Sequence, residues 1–365
     1  MQLRGRKHVA ALGSAVVVTL LAAACSSSTS SPSSSATTGA ASSPTAAASA
    51  SGTLNGSGSS FQNTFQEAAI SAFKSVDSGI TVNYASVGSG AGRSALYAGT
   101  VNFAGSDSPV PSTDVSKLQG KKILYFPILI GPISMAYNLQ GVSNLKLTPK
   151  IIADIFEAKI TKWNDPAIAA INPGAHLPST TITPAVRSDS SGTTQNFALF
   201  LQTAAPSEWT LGSSSTVKWP SAARQGAQNT GVAQIVKSTP GAIGYVDYTD
   251  AKASNLTVAS VQNKAGNYES PSVTGASASA GGVTVKPDLT FHAVWGSGAT
   301  AYPITYQTWV IVYAQQPNAN DAAMLKAYIG YLIGDGQQLL TSLNYAPLPS
   351  NIQSMAKAQL DQITS

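Results

Sequence analysis

Three turns rich in glycine, serine and threonine each lie just ahead of a segment with helical spacing. They are Gly58-Ser59-Ser60, Gly88-Ser89-Gly90 and Ser191-Gly192-Thr193. A helix N-terminus exposes backbone N–H groups that lack an intrahelical partner, and the helix dipole makes that end positive. Several such ends meeting at one point, with hydroxyl groups added, would bind an anion. Each turn by itself is more typical of an ordinary helix cap.

The third turn also carries a pair of opposite charges. A strand-like run from Ile182 to Val186 leads to Arg187 and Asp189, just before Ser191. A guanidinium group can donate two parallel hydrogen bonds to an oxyanion, and a neighbouring carboxylate would hold it in place. The alternative is a surface ion pair of little energetic weight. The residues alone leave both interpretations open.

Catalysis and metal binding have little support in the residue inventory. After the N-terminal segment the chain has two histidines, His176 and His292, and Cys25 is the only cysteine. Neither a nucleophile motif nor a glycine-rich nucleotide-binding loop ending in lysine accompanies them. We therefore expect no catalytic residue, no metal and no cofactor, and we interpret both histidines as structural.

The charge balance excludes one class of partner. The chain carries 21 basic and 16 acidic residues, a net charge of +5, and three of the basic residues are Arg4, Arg6 and Lys7. Without these three the net charge is +2, and no basic run with interleaved aromatic residues is present. The electrostatic footprint of a nucleic-acid-binding protein is missing, so we expect no nucleic-acid partner.

Residues 1–24 have the layout of a secretory signal peptide. An apolar stretch from Val9 to Leu21 follows the basic start and leads to small residues directly before Cys25. This stretch is shorter than the ~20 residues that span a bilayer, so we predict export. The pattern resembles a lipobox, with Ala22 where leucine is commonest, and it predicts a lipid (palmitate) anchor on Cys25. The alternative is an ordinary signal peptide with an incidental cysteine.

A tether is predicted between this anchor and the folded part of the chain. From Ser26 to about Gly52 nearly every residue is serine, alanine, threonine, proline or glycine. Such a composition cannot bury enough apolar surface to offset the entropy lost on ordering. We therefore assign residues 25–52 to the lipidated cysteine and a disordered tether.

The rest of the chain alternates strand and helix patterns, which predicts an α/β fold large enough for two lobes. Strands are predicted around Ile80, Val82 and Tyr84 and around Trp309, Ile311 and Tyr313. Helical spacing relates Phe61, Phe65, Ala69 and Phe73, then Phe197, Phe200 and Leu201, then Leu325, Tyr328, Ile329 and Leu332. The apolar segment from Ile123 to Leu139 contains Pro127, Gly131 and Pro132, so we expect two buried strands or a crossing between lobes rather than a helix.

Taken together, these residues resemble the phosphate-binding protein of the phosphate-specific ABC transporter. The resembling blocks follow the family's order along nearly all of the chain after the tether. They are residues 54–61, 83–84, 88–90, 103–107, 159–164, 187–193, 216–220, 240–246 and 303–305.

The resemblance implies a fold and a site. The fold would be the periplasmic-binding-protein fold (type II-like), with a discontinuous first lobe of residues 53–129 plus 302–365, a second lobe of residues 130–301, and a hinge. The phosphate contacts carried over by motif are Ser60, Phe61, Ser89, Asp107, Arg187, Ser191, Gly192 and Thr193, with Asp189 supporting Arg187. The implied function is extracytoplasmic binding of inorganic phosphate and its delivery to the permease subunits, without enzymatic activity.

Asp107 would decide which anion is accepted. An ionised carboxylate beside an anion is unfavourable unless the ligand brings a proton to share. Phosphate carries a proton near neutral pH and sulfate does not, so we hypothesise that Asp107 excludes sulfate. Two other classes stay open: a secreted phosphate-ester hydrolase, which lacks a visible nucleophile, and a surface adhesin or signalling lipoprotein on the same fold.

Overall fold

Strands and helices alternate along residues 50–365, the part of the chain that the computed structural model describes. The strands are β1 (Gly52–Gly58), β2 (Ile80–Ser86), β3 (Phe103–Ser106), β4 (Ile123–Tyr137), β5 (Lys146–Leu147), β6 (Thr183–Arg187), β7 (Arg224–Gly226), β8 (Ala242–Asp247), β9 (Thr257–Val258), β10 (Ser260–Gln262), β11 (Tyr268–Glu269) and β12 (Thr305–Tyr313). The α-helices are α1 (Asn63–Val76), α2 (Ser89–Tyr97), α3 (Pro149–Phe156), α4 (Pro166–Ile171), α5 (Gly192–Ala204), α6 (Gln228–Ser238), α7 (Tyr248–Ala253), α8 (Val273–Ala280), α9 (Ala319–Ile333) and α10 (Ser350–Gln359). Short 3-10 helices lie at Ser112–Leu118, Asp335–Leu339, Thr341–Leu343 and Leu360–Gln362. The predicted α/β class is confirmed.

Nine strands form one curled sheet in the order β2-β1-β3-β12-β4-β8-β6-β7, with β9 added beside β4. On one side β1 runs parallel to β2 and β3, and on the other side β6 runs parallel to β7 and β8. The two strands between these groups, β12 and β4, pair in the antiparallel sense. A separate three-stranded sheet has the order β11-β10-β5.

Strand β4 links the two groups of parallel strands. Its residues 123–132 pair with β12, and residues 133–137 pair with β8. We call β2, β1, β3, β12 and residues 123–132 the first half-sheet, and residues 133–137 with β8, β6, β7 and β9 the second half-sheet. The prediction that this apolar segment is not helical is confirmed, but it is one strand of 15 residues rather than two. A register irregularity beside Pro127 accommodates the residue that cannot donate a hydrogen bond.

The predicted periodic segments fall on real elements. Helices α1, α5 and α9 bury their predicted faces, and β2 alternates between buried and exposed residues. In β12, by contrast, Thr305 to Val312 are all buried, because the strand lies in the middle of the sheet with both faces covered. The division into two lobes at residues 129/130 and 301/302 stays a prediction.

The folded part begins slightly before the predicted end of the tether. Gly52 opens β1 and donates its backbone N–H to Gly79, and Ser51 exchanges hydrogen bonds with Asn320. The signal peptide, Cys25 and most of the tether lie outside the described residues. None of the helices within residues 50–365 is long and apolar enough to cross a bilayer.

Candidate functional site

The residues predicted for the site follow the carboxyl ends of four parallel strands. In the first half-sheet these are the ends of β1, β2 and β3, followed by Ser59, Ser89 and Asp107. In the second half-sheet β6 ends at Arg187 and is followed by the N-terminus of α5. Ligands of open α/β sheets bind outside the carboxyl ends of the strands, where helix N-termini face them. All the residues predicted for the site therefore come from the expected edge of the sheet.

Asp107 is buried and surrounded by hydroxyl groups. The Ser89 hydroxyl lies 3.2 Å from both the backbone nitrogen of Asp107, from which it accepts, and a carboxylate oxygen, to which it donates. The Thr308 hydroxyl donates to the other carboxylate oxygen at 2.7 Å. Only 1% of Asp107 is exposed. These hydrogen bonds hold the carboxyl group in position.

Burial and hydrogen bonding act in opposite directions on Asp107. Burial raises the pKa of its carboxyl group, while the hydroxyl groups of Ser59, Thr308 and Ser89 and the charge of Arg187 lower it. The net result is a pKa above that of an ordinary aspartate. Hydrogen bonds to the ionised form are what limits the rise.

Arg187 is buried and forms a bidentate pair with the partly exposed Asp189. The Nε and Nη2 atoms of Arg187 donate to the two carboxylate oxygens of Asp189 at 2.8 and 2.5 Å. Only 1% of the Arg187 side chain is exposed, so the alternative of a surface ion pair is wrong. Asp189 also accepts from the backbone N–H of Gln228 at 3.0 Å, which fixes the carboxylate independently of the arginine.

Arg187 and Asp189 each stabilise the charged form of the other. Burial lowers the pKa of Arg187, but the hydrogen bonds and charge of Asp189 outweigh it, so the pKa lies above its ordinary value. Burial raises the pKa of Asp189, yet the contacts with Arg187 leave it below its ordinary value. Both residues are therefore charged at neutral pH, and the Nη1 atom of Arg187 is oriented towards the Asn229 side chain at 3.3 Å.

The N-terminus of α5 lies against Asp107. A Cβ atom on Gly192 would lie 2.6 Å from the Cβ of Asp107 and 2.7 Å from the Ser89 hydroxyl oxygen. The Ser191 hydroxyl caps the helix by accepting from the Thr194 backbone N–H at 3.1 Å. Thr193 is fully buried beside them. The positive end of the helix therefore faces the buried carboxylate, as an anion site shared by both half-sheets requires.

Ser60 and Phe61 lie between the half-sheets as well. The Ser60 hydroxyl accepts from the Asn229 amide at 3.1 Å. The backbone N–H of Phe61, a predicted ligand donor, donates to the Ser59 hydroxyl at 3.0 Å. The Phe61 ring stacks on Tyr306 with a centroid distance of 4.0 Å. The loop before α1 is thus packed into position by an aromatic contact.

Sequence reasoning missed several residues that line the same region. Asn229 lies in the first turn of α6, just after β7, and Asp247 is the last residue of β8, so both lie at carboxyl ends of parallel strands like the predicted residues. Tyr306 and Thr308 lie on β12, where no loop signal exists. The position of Asp247, directly after the apolar run of β8, was the one available signal.

Arg93 is a second buried cation near the site, and no pattern in the sequence marks it. It lies on α2, 2% exposed, and donates from Nη1 to the hydroxyl groups of Ser106 and Ser108 at 2.8 and 3.1 Å. Since these serines flank Asp107, Arg93 holds the turn that carries the carboxylate. No group of three or more His, Cys, Asp or Glu side chains in residues 50–365 is arranged to hold a metal ion.

Comparison with known proteins identifies the class to which this fold and site correspond. The family model of the PBP superfamily domain matches residues 43–335. The phosphate-binding protein PstS of Pasteurella multocida is 35% identical over 315 residues, covering 84% of this chain and 89% of the relative. The phosphate-binding protein PstS 3 of Mycobacterium tuberculosis is 34% identical over 324 residues, covering 85% and 86%.

Solved structures agree with the architecture. A periplasmic phosphate-binding protein, PfluDING, with bound phosphate superposes with a TM-score of 0.71 at 22% identity, covering 84% of this chain and 94% of that one. The phosphate-binding protein of Stenotrophomonas maltophilia gives a TM-score of 0.69 at 19% identity, covering 84% and 93%. At these identities the likeness shows the two-lobed fold alone.

The molecule is therefore a two-lobed binding protein of the PBP superfamily. Within that superfamily, the chain belongs to the family of the PstS phosphate-binding proteins.

Proposed function

We propose that this protein binds inorganic phosphate outside the cytoplasmic membrane and delivers it to an ABC transporter for import. The relatives that cover most of the chain are named phosphate-binding proteins. The proposed ligand contacts are Ser60, Phe61, Ser89, Asp107, Arg187, Ser191, Gly192 and Thr193, with Asp189 supporting Arg187. These residues follow strand ends in both half-sheets, so a bound anion would be enclosed between the lobes.

One observation carries the proposal: a buried arginine, held by a partly exposed carboxylate, lies beside a helix N-terminus that faces a buried carboxylate, Asp107. Arg187 supplies the positive charge, and the first turn of α5 supplies backbone N–H groups. Burying a multiply charged anion is costly, and one arginine alone does not offset that cost. The oriented N–H and hydroxyl groups of the converging loops offset the rest of the free-energy cost of burying the anion.

Asp107 gives the site its specificity in this account. Both carboxylate oxygens already accept from hydroxyl groups, which stabilises the ionised form. A phosphate oxygen that bears a proton can donate to this carboxylate, whereas a sulfate oxygen has no proton to donate. Sulfate would leave two negative groups facing each other, so the site rejects it.

Anchoring and partner follow from the sequence and the family. The lipobox-like segment ending at Cys25 supports a lipid anchor on the outer face of the membrane. A tether of about two dozen residues would let the folded part move between solution and the permease subunits. Closure of the lobes around phosphate would give the permease a means of distinguishing loaded from empty protein.

The proposal treats the protein as a binding protein rather than an enzyme. Calorimetric titration of the protein with inorganic phosphate is expected to give one site per chain. Incubation with a chromogenic phosphate ester is expected to give no turnover that scales with protein concentration. Absence of phosphate binding would overturn the proposal, and proportional turnover would favour the phosphate-ester hydrolase instead.

A further inference from the structure

Asp247 is a fully buried carboxylate that the proposed phosphate contacts do not include. It ends β8 and is 0% exposed. Its carboxylate accepts one hydrogen bond from the Tyr306 hydroxyl and one from the Asn229 side-chain amide. Within residues 50–365 no lysine, arginine or histidine forms an ion pair with it. Two hydrogen bonds therefore hold the Asp247 side chain, one from Tyr306 and one from Asn229.

The Asn229 side chain bridges Asp247 and the arginine of the site. Its oxygen accepts from the Nη1 atom of Arg187 at 3.3 Å, and its nitrogen donates to Asp247 and, at 3.1 Å, to the Ser60 hydroxyl. The two ends of an amide are chemically different, since one only accepts and the other only donates. A rotated amide would turn its N–H groups towards the guanidinium and its oxygen towards the carboxylate. Asp247 therefore acts together with Arg187 to favour the orientation in which the oxygen of Asn229 faces the guanidinium.

Tyr306 ties this arrangement to the point where the two half-sheets meet. On β4, Tyr306 pairs with Gly131 and Asp247 pairs with Ile133, on either side of the change of partner strand. The hydrogen bond between Tyr306 and Asp247 therefore joins the first half-sheet to the second beside the crossing strand. The ring of Tyr306 also stacks on Phe61 at the start of α1.

We propose that Asp247 is a positioning residue for the anion site. Its carboxylate holds the Asn229 amide with the oxygen towards Arg187 and the nitrogen towards Ser60, and Tyr306 holds the carboxylate. The inference rests on the proposed function, because its consequence is measured as phosphate affinity. It extends that function from the residues proposed to contact phosphate to a carboxyl group that acts on one of them, Arg187, through Asn229.

A double-mutant cycle on the full chain tests the inference, with inorganic phosphate as the ligand. Asp247→Leu removes both acceptor oxygens and leaves buried donors without a partner, so we expect phosphate affinity to fall at least about fivefold. Asn229→Ala removes the bridge itself and is expected to weaken binding to a similar extent. If Asp247 acts through Asn229, adding Asp247→Leu to Asn229→Ala weakens binding by no more than about twofold further. Fully additive losses would overturn the inference.

One conservative variant and two tyrosine variants distinguish a loss of positioning from a loss of folding. Asp247→Asn keeps one acceptor for the Asn229 amide, so we expect affinity within about threefold of wild type. Tyr306→Phe removes one donor to Asp247 and is expected to weaken phosphate binding more than Tyr302→Phe. Tyr302 is the control because it is equally buried and its hydroxyl donates to the Ile133 carbonyl at 2.8 Å.

The outcomes separate this inference from the proposed function. No phosphate binding by wild type would overturn both. Wild-type binding with equal losses in Tyr306→Phe and Tyr302→Phe would overturn the positioning role of Asp247 alone.

Discussion

Gly192, on one half of the molecule, lies against Asp107, on the other, with no room for a side chain between them. The Cβ that an alanine would add at position 192 would lie 2.6 Å from the Cβ and 2.7 Å from a carboxylate oxygen of Asp107. This contact is where the N-terminus of α5 approaches the carboxylate that is proposed to choose the anion. The size of the side chain at position 192 therefore limits how closely the N-terminus of α5 approaches Asp107.

Gly192→Ala is expected to weaken phosphate binding while leaving the fold intact. Alanine suits the first turn of a helix, so the strain arises from the contacts with Asp107 and Ser89. Overpacking of this kind costs about 1–3 kcal/mol, which we expect to appear in the phosphate dissociation constant. Calorimetry measures the binding, and thermal unfolding without ligand measures the fold. Gly282→Ala is the control, since nothing lies within 4 Å of its added Cβ.

Replacing the arginine of the site should weaken binding strongly. In Arg187→Ala we expect a loss of at least about 1.5–3 kcal/mol in phosphate binding free energy, the range for a hydrogen bond to a charged group. Arg224→Ala, at an exposed arginine on the neighbouring strand β7, should leave the dissociation constant unchanged. If both variants bound phosphate like wild type, Arg187 would not belong to the site.

Rejection of sulfate should weaken in acid. Because burial raises the pKa of Asp107, its carboxyl group begins to protonate at a higher pH than an ordinary aspartate. A protonated Asp107 can donate to a sulfate oxygen, so the protein should bind sulfate more tightly at pH 5 than at pH 8. In Asp107→Asn the amide donates at every pH, so sulfate should bind with little dependence on pH. Sulfate titrations of both proteins at the two pH values provide the comparison, and a pH-independent wild type would contradict this role.

Asp250 on α7 makes a separate prediction about stability. Burial raises its pKa to about 6, while contacts with Asp247 and Arg187 lower it. A carboxyl group with a raised folded-state pKa stabilises the fold below its unfolded value, near pH 4, and loses that contribution as pH rises through about 6. Asp250→Asn should therefore raise the free energy of unfolding by up to about 3 kcal/mol at pH 8 and by less than about 1 kcal/mol at pH 4.

Urea denaturation of wild type and Asp250→Asn at pH 4 and pH 8 measures this difference in the free energy of unfolding. The control is Asp335→Asn, at an exposed acidic residue in the first turn of a 3-10 helix. Equal gains at pH 4 and pH 8 for Asp250→Asn would contradict the raised pKa.

Periodic apolar segments were the part of the fold that the sequence predicted well. The helical spacing of Phe65, Ala69 and Phe73 falls on α1, because that helix presents a single buried face. The path of β4 was harder to predict, since a strand buried on both faces has no alternation to reveal its length. The pairing of β12 between β3 and β4 depends on contacts between residues about 200 positions apart, which no local pattern records.

In the candidate site, too, residues marked by a local sequence pattern could be predicted, and residues brought there by the fold could not. The loops at Ser89 and Arg187 carry glycine and hydroxyl signals in the sequence, so they could be singled out. Asn229 and Asp247 are polar residues at or near the ends of short strands, and only the fold shows that Asn229 contacts Arg187 and that Asp247 contacts Asn229. Residues on a central strand, such as Thr308, give no loop signal even though their side chains contact Asp107.

The most direct test of the central claim is a calorimetric titration of the wild-type protein with phosphate and with sulfate at pH 8. The account predicts one phosphate per chain and a sulfate affinity lower by about 10⁴ to 10⁵, the discrimination that a buried hydrogen-bond requirement can provide. Sulfate binding as tight as phosphate binding would contradict the role of Asp107 and, with it, the proposed basis of selectivity.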